Sequence, residues 1–279
     1  MRVPFASRSR DLDLPLICLT GIVGLSDDSN VSRTPPKPLD AGERREGDLD
    51  RPDAASSCPA VACEVDHGGV SLHLLPERAA LVPETGTLLV ADLHLDKPAA
   101  YRREGVAMPE GILEESLVRL ASLASRPEVR EILVLGDLLH HRHGADRETA
   151  DRFARWRREH PLRMALVGGN HDRAAGRHLE AWSIEDAGAR YRLGNLELVH
   201  DPRSASRPPA VAGHLHPVAS IARGPRRFKL PAFVVTREVV VLPAFTAFAS
   251  GERVAPEVGD RVYAIAEGRV VEVTRALSR

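Results

Sequence analysis

From about residue 70 onward, short apolar runs alternate with stretches in which apolar residues recur at helical spacing. Residues 70–75 and 87–91 read as strands, and so do 131–135 and 164–167, which are continuous apolar runs of the kind buried on both faces. Between them, Leu113, Leu117, Leu120 and Ala124 share one helical face, with Pro109 placed where that helix could begin. A second helix is predicted from about Asp146 to His160, with Phe153 and Trp156 inward and Arg152, Arg155 and Arg158 on a neighbouring stripe. Strands alternating with helices predict a parallel sheet whose carboxyl ends lie on one edge. After Trp182 the pattern turns to short strands. They fall at 189–193 and 196–199 around Gly194-Asn195, then at 211–212, 228–235 and 239–242, and at 262–266 and 270–273 around Glu267-Gly268. This half predicts a second, mostly antiparallel sheet.

The first 60 residues do not share this order. Segment 26–60 is rich in Asp, Ser, Pro, Arg and Glu without periodicity, so residues 1–60 are expected to be a disordered extension or an upstream addition to the true start. Residues 61–279 then form one domain. The 279 residues, 43% hydrophobic and 28% charged, suit that division. A formal net charge of −1 argues against a long basic groove. It leaves a phosphodiester substrate open, because bound cations would add positive charge locally. Cys18, Cys58 and Cys63 show no CxxC spacing, which supports neither a disulfide framework nor a zinc ribbon and makes a reducing, cytoplasmic location the expectation. The apolar run 14–25 follows Arg2, Arg8 and Arg10, but Asp11 and Asp13 interrupt its approach and Asp27-Asp28 follow it without a cleavage pattern. No run is long enough to span a bilayer, so no membrane partner is expected.

Chemistry concentrates in five clusters: Asp92-Leu93-His94, Gly136-Asp137, Gly169-Asn170-His171-Asp172, His200, and Gly213-His214-Leu215-His216. Carboxylates and an amide suit hard oxygen coordination, and neutral imidazoles suit borderline metals. A single Asp-x-His or His-x-His carries little weight. Here, however, Asp92, Asp137 and Asn170 each follow a predicted strand, and on an extended backbone the period of two would point His214 and His216 to one side. His67, His73, His160 and His178 read as surface or packing residues, and Arg152, Arg155, Arg157 and Arg158 as a solvated helix face.

Taken in order, the clusters match the DxH, GD, GNH[DE], H, GHxH pattern, and the chain resembles the calcineurin-like metallophosphoesterase superfamily. The flanking stretches 88–97, 136–140, 213–217, 230–233 and 241–245 resemble the bacterial ligase-associated DNA damage response endonucleases, the PdeM group. Asp96 departs from the small residue, usually Gly, expected after the DxH, which bears on the shape of that loop.

The resemblance implies an α/β fold, a two-sheet β-sandwich flanked by helices, from about Glu64 to the C-terminus. It implies that Asp92, His94, Asp137 and His216 hold one metal and Asp137, Asn170, His200 and His214 the other, with Asp137 bridging. Two divalent ions about 3.5 to 4 Å apart can hold a bridging hydroxide and clamp the attacking and leaving oxygens at phosphorus. Ligation by N and O without thiolate suits Mn²⁺, with Fe or Zn²⁺ as alternatives. His171 would be the general acid, Asp172 its neighbour behind the ligands, and His140 a substrate-facing histidine. Arg226, Arg227 and Lys229 are candidates for contact with a nucleic-acid backbone. The implied activity is a two-metal phosphodiesterase, a DNA endonuclease in repair, associated functionally with a DNA ligase and helicase. Alternatives are a phosphoesterase for small phosphorylated molecules, nucleotides or phosphoproteins, and a non-catalytic scaffold on the same fold.

Overall fold

The computed structural model describes residues 62–140, 144–169, 172 and 175–277. The chain divides into two units, Met1–Cys58 and Pro59–Arg279, and every described residue lies in the second. The expectation for residues 1–60 falls outside the described residues.

The first sheet has seven strands in chain order. They are β1 (Cys63–His67), β2 (Val70–Leu75), β3 (Ala79–Val82), β4 (Thr87–Val90), β5 (Glu131–Leu135), β6 (Arg163–Val167) and β7 (Glu185–Asp186). The first four pair antiparallel, and β4 to β7 run parallel. Parallel pairing requires crossovers, supplied by α1 (Lys97–Arg103) and α2 (Ile112–Ala124) after β4, α3 (Arg147–Glu159) after β5, and α4 (Gly176–Leu179) after β6. The period of two divides the buried strands between two cores. Leu88, Val90, Ile132, Val134, Met164 and Leu166 pack toward Leu120, Leu123, Phe153 and Trp156 of the helices. Leu89, Leu133, Leu135, Ala165 and Val167 pack toward the other sheet. Fully burying each large aliphatic side chain of this set stabilises the fold by about 1.5–3 kcal/mol.

The second sheet has nine strands. They are β8 (Arg190–Leu193), β9 (Leu196–Val199), β10 (Ala210–Ala212), β11 (Pro217–Arg223), β12 (Arg226–Val235), β13 (Val239–Val241), β14 (Glu252–Arg253), β15 (Arg261–Ala266) and β16 (Arg269–Glu272). Leu196, Leu198, Val211, Phe233, Val240 and Leu242 close the inter-sheet core. A short helix, α5 (Thr274–Leu277), contributes Leu277 to a small cluster with Ala219, Ala232, Val262 and Ala264. The architecture is the expected sandwich of two sheets flanked by helices.

The second sheet is mostly antiparallel, as expected, in five of its eight strand pairs; β9, β10 and β13 run parallel to one another and β14 runs parallel to β11, because the 199–210 connection returns the chain in the same direction. One expectation needs correction: Arg157 is not on a solvated face. It is 6% exposed and donates to the carbonyls of Trp182 (2.9 Å), His160 (2.9 Å) and Leu162 (2.9 Å), locking the end of α3 onto the following loops. The start of α3 is fixed by Asp146, whose side chain accepts from Thr149 N–H at 2.9 Å.

Candidate metal centre

The hydrogen-bond ladder between β4 and β5 continues past the strand ends. Asp92 N–H donates to the Gly136 carbonyl (3.1 Å), His94 N–H to Asp137 (2.9 Å) and Leu95 N–H to Leu138 (3.0 Å). Segments of the second sheet join at the same edge, where Gly213 N–H donates to the His200 carbonyl (3.0 Å) and Phe245 N–H to that of Ala91 (2.8 Å). Asp92, His94, Asp137, His214 and His216 all adopt left-handed backbone, with φ of 56°, 46°, 50°, 72° and 47°. Such φ values turn the chain sharply as it leaves a strand and aim five side chains at one region. His214 and His216 therefore do not share one face of an extended strand, as the period of two suggested. They turn into separate groups.

Asp92, His94 and His216 form one group, and Asp137, His200 and His214 the other; within each, one ligand atom per residue lies within 4.8 Å of the others. Asp137 faces both, with Oδ2 at 3.8 Å from His94 Nε2 and Oδ1 at 3.5 Å from His200 Nε2. Local contacts orient the donors. His200 Nδ1 lies 2.9 Å from the Leu135 carbonyl, which requires Nδ1 to carry the proton and leaves the Nε2 lone pair facing the other two members of its group, His214 Nδ1 at 3.0 Å and Asp137 Oδ1 at 3.5 Å. Asp92 Oδ2 accepts from His214 N–H at 2.9 Å, which directs Oδ1 toward His216 Nε2 at 3.2 Å. Those last two atoms are buried, and neither has a hydrogen-bond partner among the described residues. A converging carboxylate oxygen and imidazole nitrogen left unsatisfied are donors suited to a divalent cation. Two glycines admit this crowding. A Cβ on Gly136 would fall 2.2 Å from His200 Nδ1, and one on Gly213 would fall 2.8 Å from Asp92 Oδ2.

Asn170 and His171 lie outside the described residues. Asp172 uses its two carboxylate oxygens on backbone, accepting from Gly169 N–H (2.8 Å) and Leu139 N–H (3.3 Å), so it fastens two of the converging loops together. Burial pushes its carboxyl above the ordinary value and Asp137 adds to the rise, while the hydrogen bonds from backbone amides oppose it. The half-buried His140 ring meets the His94 ring edge-to-face at 5.1 Å. Lys229 lines a cavity of about 320 Å³ that also contains His216, Arg78 and Thr246. Arg227 precedes Lys229 by two positions on the same face of β12, Arg226 is on the opposite face, and neither lines that cavity.

Several residues in this region carried no signal strong enough to single them out as functional. Asp96 is fully buried and accepts from His140 N–H at 2.5 Å, so the departure from a small residue fixes the loop that carries His140. Lys97 is 6% exposed; burial pushes its ammonium below the ordinary lysine value, and Asp92 and Asp137 pull in the opposite direction. The Lys97-Pro98 pair, a helix-start signal, could have revealed α1. Asp201 Oδ2 lies 3.9 Å from His214 Nε2 and Arg203 holds its carboxyl below the usual range.

The family model described as calcineurin-like phosphoesterase matches residues 87–233. Among solved structures, the chain is similar to the Pseudomonas putida nuclease MPE, with 33% identity and a TM-score of 0.66 over 76% of this chain and 100% of that one. Lesser likenesses are to the protein of unknown function AQ665 from Aquifex aeolicus (21% identity, TM-score 0.33, 47% of this chain and 78% of that one) and to Chaetomium thermophilum Vps29 (17% identity, TM-score 0.27, 67% and 96%). A search of curated proteins found no match. Among the described residues, no helix is long and apolar enough to cross a membrane. Family members use a binuclear divalent metal site, and the two side-chain groups meeting on Asp137 offer candidate ligands for it. With the family model spanning more than half of the chain and a 33% identical relative covered along its whole length, this chain belongs to the calcineurin-like phosphoesterase family and is a metal-dependent phosphoesterase.

Proposed function

We propose that the protein is a two-metal phosphodiesterase that cuts DNA, acting as an endonuclease in repair. The supporting observation is the pairing of two donor groups across one carboxylate, Asp137, in a chain 33% identical to the Pseudomonas putida nuclease MPE. Asp92, His94, Asp137 and His216 would hold one cation, and Asp137, Asn170, His200 and His214 the other. When bound, the cations supply a readily ionised water and positive charge at the phosphate. The chain's own residues do the rest. His200 presents Nε2 because Leu135 fixes its tautomer, and Asp172 holds the Leu139 and Gly169 loops together. His171 donates the proton to the departing alkoxide. Mn²⁺ is the proposed metal because the donor set contains no thiolate. The repair role, with a DNA ligase and a helicase as functional associates, follows from the PdeM resemblance.

The test is a substrate panel with Mn²⁺: single-stranded DNA, duplex DNA, RNA, a generic diester and a monoester, each against a His171→Ala control. Cleavage of DNA and the diester is expected, with turnover lowered about a hundredfold or more in the control while metal content is kept. Activity confined to the monoester overturns the nuclease reading in favour of a small-molecule phosphatase.

A further inference from the structure

Beside the candidate metal centre stands a group of aromatic side chains that metal binding does not require. Tyr101, from α1, stacks on the His140 ring at 5.9 Å with an interplanar angle of 25°. Phe248, from the segment after β13, meets Tyr101 edge-to-face at 6.0 Å. Lys97 Nζ lies 6.0 Å from the centroid of the Phe248 ring. The group is thus continuous with the metal centre through His140, whose ring meets that of His94.

Phe248 is the most exposed aromatic side chain of the group. Phe residues are few, six in all, and aromatic residues make up 4% of the sequence. The other large aromatic side chains near helices, Phe153, Trp156 and Trp182, are buried. Phe248 is 38% exposed, and Tyr101 is half-buried. An aromatic ring left in water beside a centre that handles phosphates forgoes burial without serving as a ligand. A nucleotide would give it a use, because its base has a flat π-face and lies about one sugar away from its phosphate.

We infer that Tyr101 and Phe248, backed by His140 and Lys97, form a stacking wall that takes the nucleobase adjacent to the phosphate being cleaved. This rests on the phosphodiesterase reading above and adds a selection to it: the centre acts on phosphate, and the wall favours esters that carry a base. Lys97 backs the wall from behind, its ammonium 6.0 Å from the Phe248 ring, where it favours the ring's electron-rich face. Stacking on an aromatic side chain tolerates every base, so the wall confers preference for nucleotides over other diesters without reading sequence.

Two diesters that differ only in the base test it: the p-nitrophenyl phosphate ester of thymidine, and the same ester of the abasic 1,2-dideoxyribose. The readout is the ratio of kcat/KM for the two, measured with Mn²⁺. The wild-type enzyme is expected to favour the base-bearing ester by about 5- to 140-fold, the range of a base–aromatic stack. Phe248→Ala and Tyr101→Ala bring the ratio close to 1, and Phe248→Trp retains it. A variant damaged in folding loses both rates together and leaves the ratio where it was, so the ratio isolates stacking. Equal wild-type rates on the two esters, or a ratio preserved in both alanine variants, overturn the wall and leave the phosphodiesterase reading intact. Hydrolysis of neither ester overturns that reading and the wall with it.

Discussion

Replacing Gly136 with Ala tests how the second donor group is built. The added Cβ would lie 2.2 Å from His200 Nδ1, 2.4 Å from its Cγ and 2.8 Å from the Gly169 Cα, where carbon contacts normally settle at about 3.5–4.0 Å. His200 must therefore retreat by more than about 1 Å. That movement breaks the 2.9 Å bond to the Leu135 carbonyl and leaves a buried acceptor unsatisfied, at a cost of about 1–3 kcal/mol. Gly136 also has φ of 76°, which costs an L side chain about 1–2 kcal/mol. The combined loss is about 2–5 kcal/mol, which lowers Tm by about 4–20 °C for a domain of this size. Gly268→Ala is the control. It has φ of 69° in the β15–β16 turn and nothing within 4 Å of its added Cβ, so it bears the backbone cost alone, about 2–8 °C. Thermal melting read by circular dichroism and metal content measured by elemental analysis separate the two. Gly136→Ala should lose bound metal while Gly268→Ala keeps two ions per chain. If the two variants melt alike and both hold two ions, the packing of Gly136 against His200 does not organise the centre.

Asp137→Ala should abolish hydrolysis and reduce bound metal below two ions per chain, because both groups lose the carboxylate they face; full stoichiometry in that variant would remove Asp137 from its bridging position. His67 gives a pH prediction away from the centre. Its ring is buried against the Ala210 carbonyl, and burial pulls its pKa below 6.5. The unfolded chain then binds the proton first as pH falls through 6.5, so stability declines from that point down to the lower folded-state value, by no more than about 1.4 kcal/mol per pH unit. Urea titrations across this range should show a shallower slope for His67→Gln, and an unchanged slope would locate the pH dependence elsewhere.

The first half of the fold was legible because β4, β5 and β6 are covered on both sides and write their burial as unbroken apolar runs. Asp92 and Asp137 could be placed at strand ends for the same reason, as each is the first polar side chain after such a run. Helix α1 left only its start legible, in the Lys97-Pro98 pair, because seven residues with a buried lysine give no sustained amphipathic pattern. The backbone at His214 and His216 was also hidden, since alternation in sequence presumes extended φ. Here the loop hydrogen bonds from Gly213 N–H and His214 N–H impose another conformation. Arg157 was misread because charge in a helix is usually solvated, and only the folded loops supply the carbonyls that it binds.

The left-handed backbone at Asp92, His94, Asp137, His214 and His216 has a consequence for which residue types this centre can use. Asp, Asn and His are the non-glycine residues most tolerant of that region. The residues in these positions therefore satisfy two independent requirements, a donor atom for a cation and a main chain that accepts positive φ. Glutamate offers the same carboxylate as aspartate but lacks the short side chain that eases this conformation, and cysteine offers a donor without the tolerance. The alphabet of the centre is narrowed twice, once by coordination chemistry and once by the shape of the turns that deliver its side chains.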